Sequence, residues 1–298
     1  MFTTGGSVEI WTSHDLLDFY NYEKHVLWVP PPDQPFSADI WAPEFHAIYG
    51  RWYAYFAAGD PKHGNKSHRM WVLEGPPSTE PPTSGKWQMA GPIKGMDSRQ
   101  WAIDGTVITL DNALYFVYSG WPVDRPGCEN QQELWIIRLD MPTQASSAPV
   151  RICQPHKNWE CSGSSGINEG PQWLESPDGN WKAIVYSCAG SWTKEYKMNV
   201  LQYMGGDPLD PRSWRKGRPL LQNSRDGKGP FGPGHGTFVN YRGETVAVFH
   251  ATDNASDGWA NRKARVQRVR WTANGPDMGG VVGTLVDEKE RWLIPHQS

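Results

Sequence analysis

The hydrophobic positions of this chain fall in short, aromatic-rich runs separated by polar segments carrying Gly and Pro. No long stretch repeats with the 3.6-residue period of an amphipathic helix, so the pattern predicts strands. Four runs stand out: residues 52–56 (WYAYF), 114–118 (LYFVY), 181–186 (WKAIVY) and 245–249 (TVAVF). They recur almost evenly, with Tyr55, Tyr118, Tyr186 and Phe249 at steps of 63, 68 and 63 residues. A fixed period of this kind predicts a toroidal repeat in which each unit is one antiparallel sheet. Just upstream of the first three runs stand Glu44, Asp104 and Glu169, each in a short segment with Gly or Pro. On inner strands these carboxyl groups would converge on one central funnel.

Carried backwards, the same interval makes Phe2-Thr3-Thr4 the aromatic strand of an earlier unit. Its inner strand is then expected before Met1, with whatever catalytic group it bears. Residues 8–13 (VEIWTS) alternate as a strand and continue that first unit. Residues 264–271 (ARVQRVRW) read as a strand of the last unit, and Trp292-Leu293-Ile294 as a segment that helps to close the ring. The fold expected is all-β, a five-bladed β-propeller whose first blade is incomplete at the N-terminus, forming a single domain over residues 1–298. The WD40 period of about 40–45 residues does not fit this spacing.

Composition narrows the function. The chain of 298 residues carries 17 Trp, 31 Gly and 25 Pro, which suits many short strands joined by turns. Most of the tryptophans are expected to pack between sheets, and the remainder to offer flat platforms for sugar faces. A net charge of −3 without a basic cluster argues against nucleic acid as a partner. No apolar run approaches the length of a membrane span, and residues 1–6 (MFTTGG) lack the features of a secretory leader. Cys128, Cys153, Cys161 and Cys188 match no metal or redox spacing; buried thiols are expected, with a Cys153–Cys161 bridge as the alternative. Asn65-Lys66-Ser67 and Asn254-Ala255-Ser256 are glycosylation sequons, which suit a secreted protein.

Four motifs occur in order at the interval of the repeat: residues 41–46 (WAPEFH), 102–107 (AIDGTV), 168–171 (NEGP) and 232–236 (GPGHG). Together they resemble glycoside hydrolase family 43, the five-bladed propellers that include arabinofuranosidases, xylosidases and arabinanases. Residues 50–58 (GRWYAYFAA) and 257–265 (DGWANRKAR) are similar to the exo-acting α-L-arabinofuranosidase branch. The resemblance implies an inverting reaction run by three carboxyl groups. Glu169 matches the general acid, which protonates the departing glycosidic oxygen. Asp104 matches the carboxylate that holds the acid and raises its pKa. The family's general base is an Asp on the first inner strand, which the interval places before Met1, and Asp39 is the one stand-in. Glu44 is expected to contact substrate or to support the pocket, and Trp41 and Trp101 to stack on sugars. His235 matches a channel histidine that contacts a hydrated cation, without forming a protein metal cage. Arg262 is expected to bond a sugar or a carboxylate, with a blade-closing ion pair as the alternative.

The function expected is an exo-α-L-arabinofuranosidase acting on terminal residues of arabinan or arabinoxylan; without the first inner strand and its base, the chain is expected to be poorly active and less stable. A β-xylosidase or an endo-arabinanase on the same scaffold is the alternative within the enzymes, and a non-catalytic arabinoglycan-binding propeller the alternative outside them. No cofactor is required beyond a structural cation in the channel. The expected partners are arabinose-containing plant cell-wall glycans, with no nucleic acid and no membrane; a monomer and an extracellular place of action are expected.

Overall fold

Each aromatic run of the sequence becomes the second strand of an antiparallel sheet, buried on both faces. A computed structural model describes residues 6–18, 20–223 and 227–281; Phe2-Thr3-Thr4 and Trp292-Leu293-Ile294 lie outside the described residues. The chain divides into two compact units, Met1–Pro126 with Trp135–Arg151, and Gly127–Leu134 with Ile152–Ser298.

In the first unit, β1 (Val8–Thr12) pairs with β2 (Glu23–Trp28). A four-stranded sheet follows in sequential order: β3 (Ala38–Ile48), β4 (Arg51–Gly59), β5 (Arg69–Pro77) and β6 (Gln88–Pro92). Next come β7 (Ala102–Leu110), β8 (Ala113–Gly120), β9 (Gln131–Met141) and the short β10 (Gln144–Ala145). Through β11 (Val150–Cys153) the chain passes to the second unit. There β12 (Cys161–Ser162) pairs with β13 (Ser165–Glu175), which is followed in the same sheet by β14 (Lys182–Cys188), β15 (Lys197–Tyr203) and β16 (Trp214–Gln222). A three-stranded sheet holds β17 (Phe231–Tyr241), β18 (Glu244–Thr252) and β19 (Lys263–Arg268). Finally β20 (Arg270–Thr272) pairs with β21 (Gly275–Asp277), and β22 (Gly280–Val281) runs parallel to β16.

β4 shows why these strands are hydrophobic throughout. Tyr53, Tyr55 and Ala57 enter one core with Val72, Ile103, Phe116 and Tyr118, while Ala54, Phe56 and Ala58 enter another with Ile40, Leu73 and Trp87. A strand covered on both faces has no polar face to reveal its parity. That is why the aromatic ruler needs a correction. By register, Tyr55 lies opposite Glu44, Val117 opposite Thr106, Val185 opposite Gln172 and Val248 opposite Thr237. The partner of Tyr118, Tyr186 and Phe249 in the repeat is therefore Phe56, one residue beyond the Tyr55 from which the ruler was started.

One device recurs in four first strands. The register slips by one residue between Trp41 and Glu44 in β3, Ile103 and Thr106 in β7, Glu169 and Gln172 in β13, and Gly234 and Thr237 in β17. At each slip the residue after the first has positive φ: Ala42 (43°), Asp104 (54°), Gly170 (56°) and His235 (50°). These are β-bulges, which bend a strand and re-aim its side chains. Three of the four place a non-glycine residue in the left-handed region, a local cost that surrounding packing must hold in place. All four sequence motifs sit on these bulges.

Candidate active site

The motif carboxylates do not occupy equivalent places. Asp104 is the bulge residue of β7, Glu169 immediately precedes the bulge of β13, and Glu44 lies two residues after that of β3. In the first unit Asp104 is 5% exposed. Glu44 is part-buried and pairs with His46, Oε2 to Nε2 at 3.2 Å. The same ring nitrogen lies 3.5 Å from the Val107 backbone N–H of β7. Trp41 stacks on His68 (centroids 3.8 Å apart, 19° between planes), which covers one of its faces. Trp101 is buried instead: it stacks on Trp121 at 4.8 Å and donates its indole N–H to the Asn65 carbonyl at 2.9 Å. Its flat faces serve packing, so the expectation that Trp101 stacks on a sugar does not hold. Asp39 is exposed at the first of two slips in β3 with φ of 49°, and its carbonyl lies 3.0 Å from His68 Nε2.

In the second unit Glu169, 7% exposed, accepts a hydrogen bond from the Tyr196 hydroxyl at 2.8 Å through Oε1. Tyr196 is 1% exposed and stacks on His250, centroids 5.6 Å apart and planes 9° apart. The glycine-rich motif exists to admit this tyrosine, because a Cβ at Gly234 would run into the Tyr196 ring. His235 donates its backbone N–H to Ser187 Oγ at 2.7 Å, and Ser187 lies opposite Glu169 in the β13–β14 register. The His235 ring lies against Gly170, the residue after Glu169. The Glu169 and His235 motifs, 66 residues apart in sequence, are thus brought together.

His250 completes this group and was not singled out by the sequence. Burial, then the nearby Arg262 and His235, hold its pKa well below the ordinary histidine value. It is a neutral ring under most conditions, facing Gly234 across the β17–β18 pair. Arg262 donates to the Ser191 carbonyl at 3.0 Å and meets no carboxylate among the described residues, so the blade-closing ion pair is not what it makes. Behind β13, Glu160 is fully buried and accepts from Lys216 Nζ (2.7 and 2.8 Å), Asn168 Nδ2 (2.9 Å) and the Tyr186 hydroxyl (2.9 Å). Asn168 directly precedes Glu169, so this network fixes the strand that carries the carboxyl group. Among the described residues no three His, Cys, Asp or Glu side chains gather to hold a metal ion. A cation at His235 would have to keep most of its water ligands.

The family model of glycosyl hydrolases family 43 matches residues 1–276. The chain belongs to that family. It is similar to the extracellular exo-α-(1→5)-L-arabinofuranosidase of Streptomyces avermitilis, 31% identical over 264 residues that cover 85% of this chain and 52% of the relative. The Streptomyces chartreusis protein of the same name is 31% identical over 229 residues, covering 76% of this chain and 66% of the relative. The chain thus spans from about half to two thirds of the length of these relatives. Among solved structures it resembles the α-L-arabinofuranosidase of Lactobacillus brevis, with a TM-score of 0.81, 27% identity, and 93% and 87% of the two chains covered. A thermostable family-43 glycoside hydrolase, 20% identical with a TM-score of 0.75 over 93% of this chain and 86% of that one, shares the fold. The fold class is accordingly the all-β propeller of family 43, and the antiparallel sheets described above are its blades.

Proposed function

We propose that this chain removes terminal α-L-arabinofuranosyl residues from arabinan or arabinoxylan by an inverting acid/base reaction. Glu169 is the general acid and Asp104 the carboxylate that supports it. The observation that carries this reading is the setting of Glu169: a buried carboxyl group bonded by the Tyr196 hydroxyl at the brink of a bulge, in a chain similar to proteins named as exo-arabinofuranosidases. Protonated, Glu169 gives its proton to the departing glycosidic oxygen. A water attacks from the other sugar face, in a space that inverting enzymes keep by holding acid and base roughly 6.5–9.5 Å apart. Asp39 is the base candidate of this chain. Glu44, Trp41, His235 and Arg262 are assigned to the surroundings of the sugar, and any cation at His235 to structure. The chemistry proposed uses no cofactor. The names of the Streptomyces relatives support an extracellular place of action; no described helix is long and apolar enough to cross a membrane.

The deciding assay compares arabino-oligosaccharide and aryl α-L-arabinofuranoside hydrolysis by the chain and its Glu169→Gln, Asp104→Asn and Asp39→Asn variants. Glu169→Gln is expected to lose about 10²–10⁴ in kcat/KM on the oligosaccharide, and much less on the aryl substrate, whose leaving group needs little acid help. Equal losses on both would take the role of acid away from Glu169. No arabinose release by the folded chain would remove the reading, and unchanged turnover by Asp39→Asn would remove Asp39 as base.

A further inference from the structure

Two tryptophans open to solvent, neither given a role by the sequence, stand in the loops that follow β14 and β18. Trp192 and Trp259 are 41% and 65% exposed and meet edge to face, centroids 6.0 Å apart and planes 73° apart. Both are held in place. The Trp192 ring lies over Gly190, where a Cβ would stand 2.7 Å from it. Trp259 donates its indole N–H to Ser191 Oγ at 3.0 Å, and Arg262 grips the Ser191 carbonyl. The loop between β14 and β15 that carries Trp192 ends at Tyr196, whose hydroxyl bonds Glu169. Three residues, Thr193, Lys194 and Glu195, separate Trp192 from the tyrosine that bonds the carboxyl group. Ser191 and Gly258, the residues that precede Trp192 and Trp259, line a cavity of about 10 Å³ together with His250 and Arg262. His250 Nδ1 and Arg262 Nε are buried without hydrogen-bond partners among the described residues. Space of this size admits one water or one hydroxyl group.

We infer that Trp192 and Trp259 form a binding subsite for the leaving-group sugar. The inference rests on the arabinofuranosidase reading, because only the group whose oxygen Glu169 protonates must lie on the acid's side of the scissile bond. Exposed, pre-fixed aromatic rings suit the apolar face of a sugar at little conformational cost. A polysaccharide offers such a sugar at every cleavable bond, whereas a methyl glycoside offers none.

The test measures kcat/KM on an arabino-oligosaccharide and on methyl α-L-arabinofuranoside for the unmodified chain, Trp259→Ala, Trp192→Ala and Trp259→Phe. Loss of stacking is expected to lower the oligosaccharide-to-methyl ratio about tenfold in each alanine variant, with partial recovery in Trp259→Phe. Equal losses on both substrates, or an unchanged ratio, would overturn the subsite. Titration of arabinotriose into Glu169→Gln protein, followed by tryptophan fluorescence, gives a readout without turnover. There Trp259→Ala is expected to weaken binding about tenfold. Binding that depends on Trp259 in a chain without hydrolytic activity would keep the subsite and dismiss the enzymatic reading. Hydrolysis with Trp259-independent binding would do the reverse.

Discussion

At the scale of single residues, His250 ties the site to pH. Its cationic form is disfavoured by burial and by Arg262 and His235, so the folded pKa lies below the ordinary value. The unfolded chain takes up a proton as pH falls below about 6.5, while the folded chain does not. Stability from this residue is therefore fully present above that pH and declines below it, by about 1.4 kcal/mol per pH unit, until the folded pKa is reached. Thermal melts of the chain and of His250→Asn between about pH 7 and about pH 5 should show a shallower acid decline in the variant. Parallel declines would mean that His250 titrates alike in both states. The motifs singled out Asp104, Glu169 and His235, because a carboxyl or an imidazole next to Gly or Pro is an unusual local choice. They gave no role to Tyr196, His250 and Trp192, which lie outside every motif, nor to Trp259, which lies inside residues 257–265. One signal was available: three glycines in residues 232–236 announce a close neighbour, and that neighbour is Tyr196.

At the scale of elements, the strand bearing Glu169 is anchored from behind by Glu160. This carboxyl group joins the segment before β12 to β13, β14 and β16 through Asn168, Tyr186 and Lys216. Breaking such a pair by removing one partner leaves a buried charge uncompensated, at a cost of about 3–5 kcal/mol. Glu160→Ala should show that loss in urea denaturation; a loss below about 1 kcal/mol would mean that Lys216 escapes to water instead. Strand positions were legible in the sequence, since runs such as 52–56 and 114–118 are too short and too aromatic for anything else. The bulges were not. A single inserted residue reverses the side-chain alternation beyond it, and strands buried on both faces carry no polar face to reveal the reversal.

At the scale of the whole molecule, the four cysteines all fall in the second unit and test its packing. All four are free; Cys153 and Cys188 are buried, Cys128 and Cys161 part-buried. Burial pushes the Cys153 thiol up to about 11 and raises that of Cys188 further. Titration of the folded chain with a thiol reagent at neutral pH should label Cys128 and Cys161 first, and all four only in denaturant. A folded chain with no reactive Cys161 and only two thiols in denaturant would restore the Cys153–Cys161 bridge. Sequence by itself determined the all-β class, the repeat and the residue types of the motifs, because strand hydrophobicity, turn residues and reactive side chains are local properties. Only the tertiary structure decided which tryptophan is core and which is open, which phenol holds Glu169, and where each carboxyl group stands relative to its bulge. Those are set by contacts between residues far apart in the chain, and by a one-residue register shift that leaves the local composition unchanged.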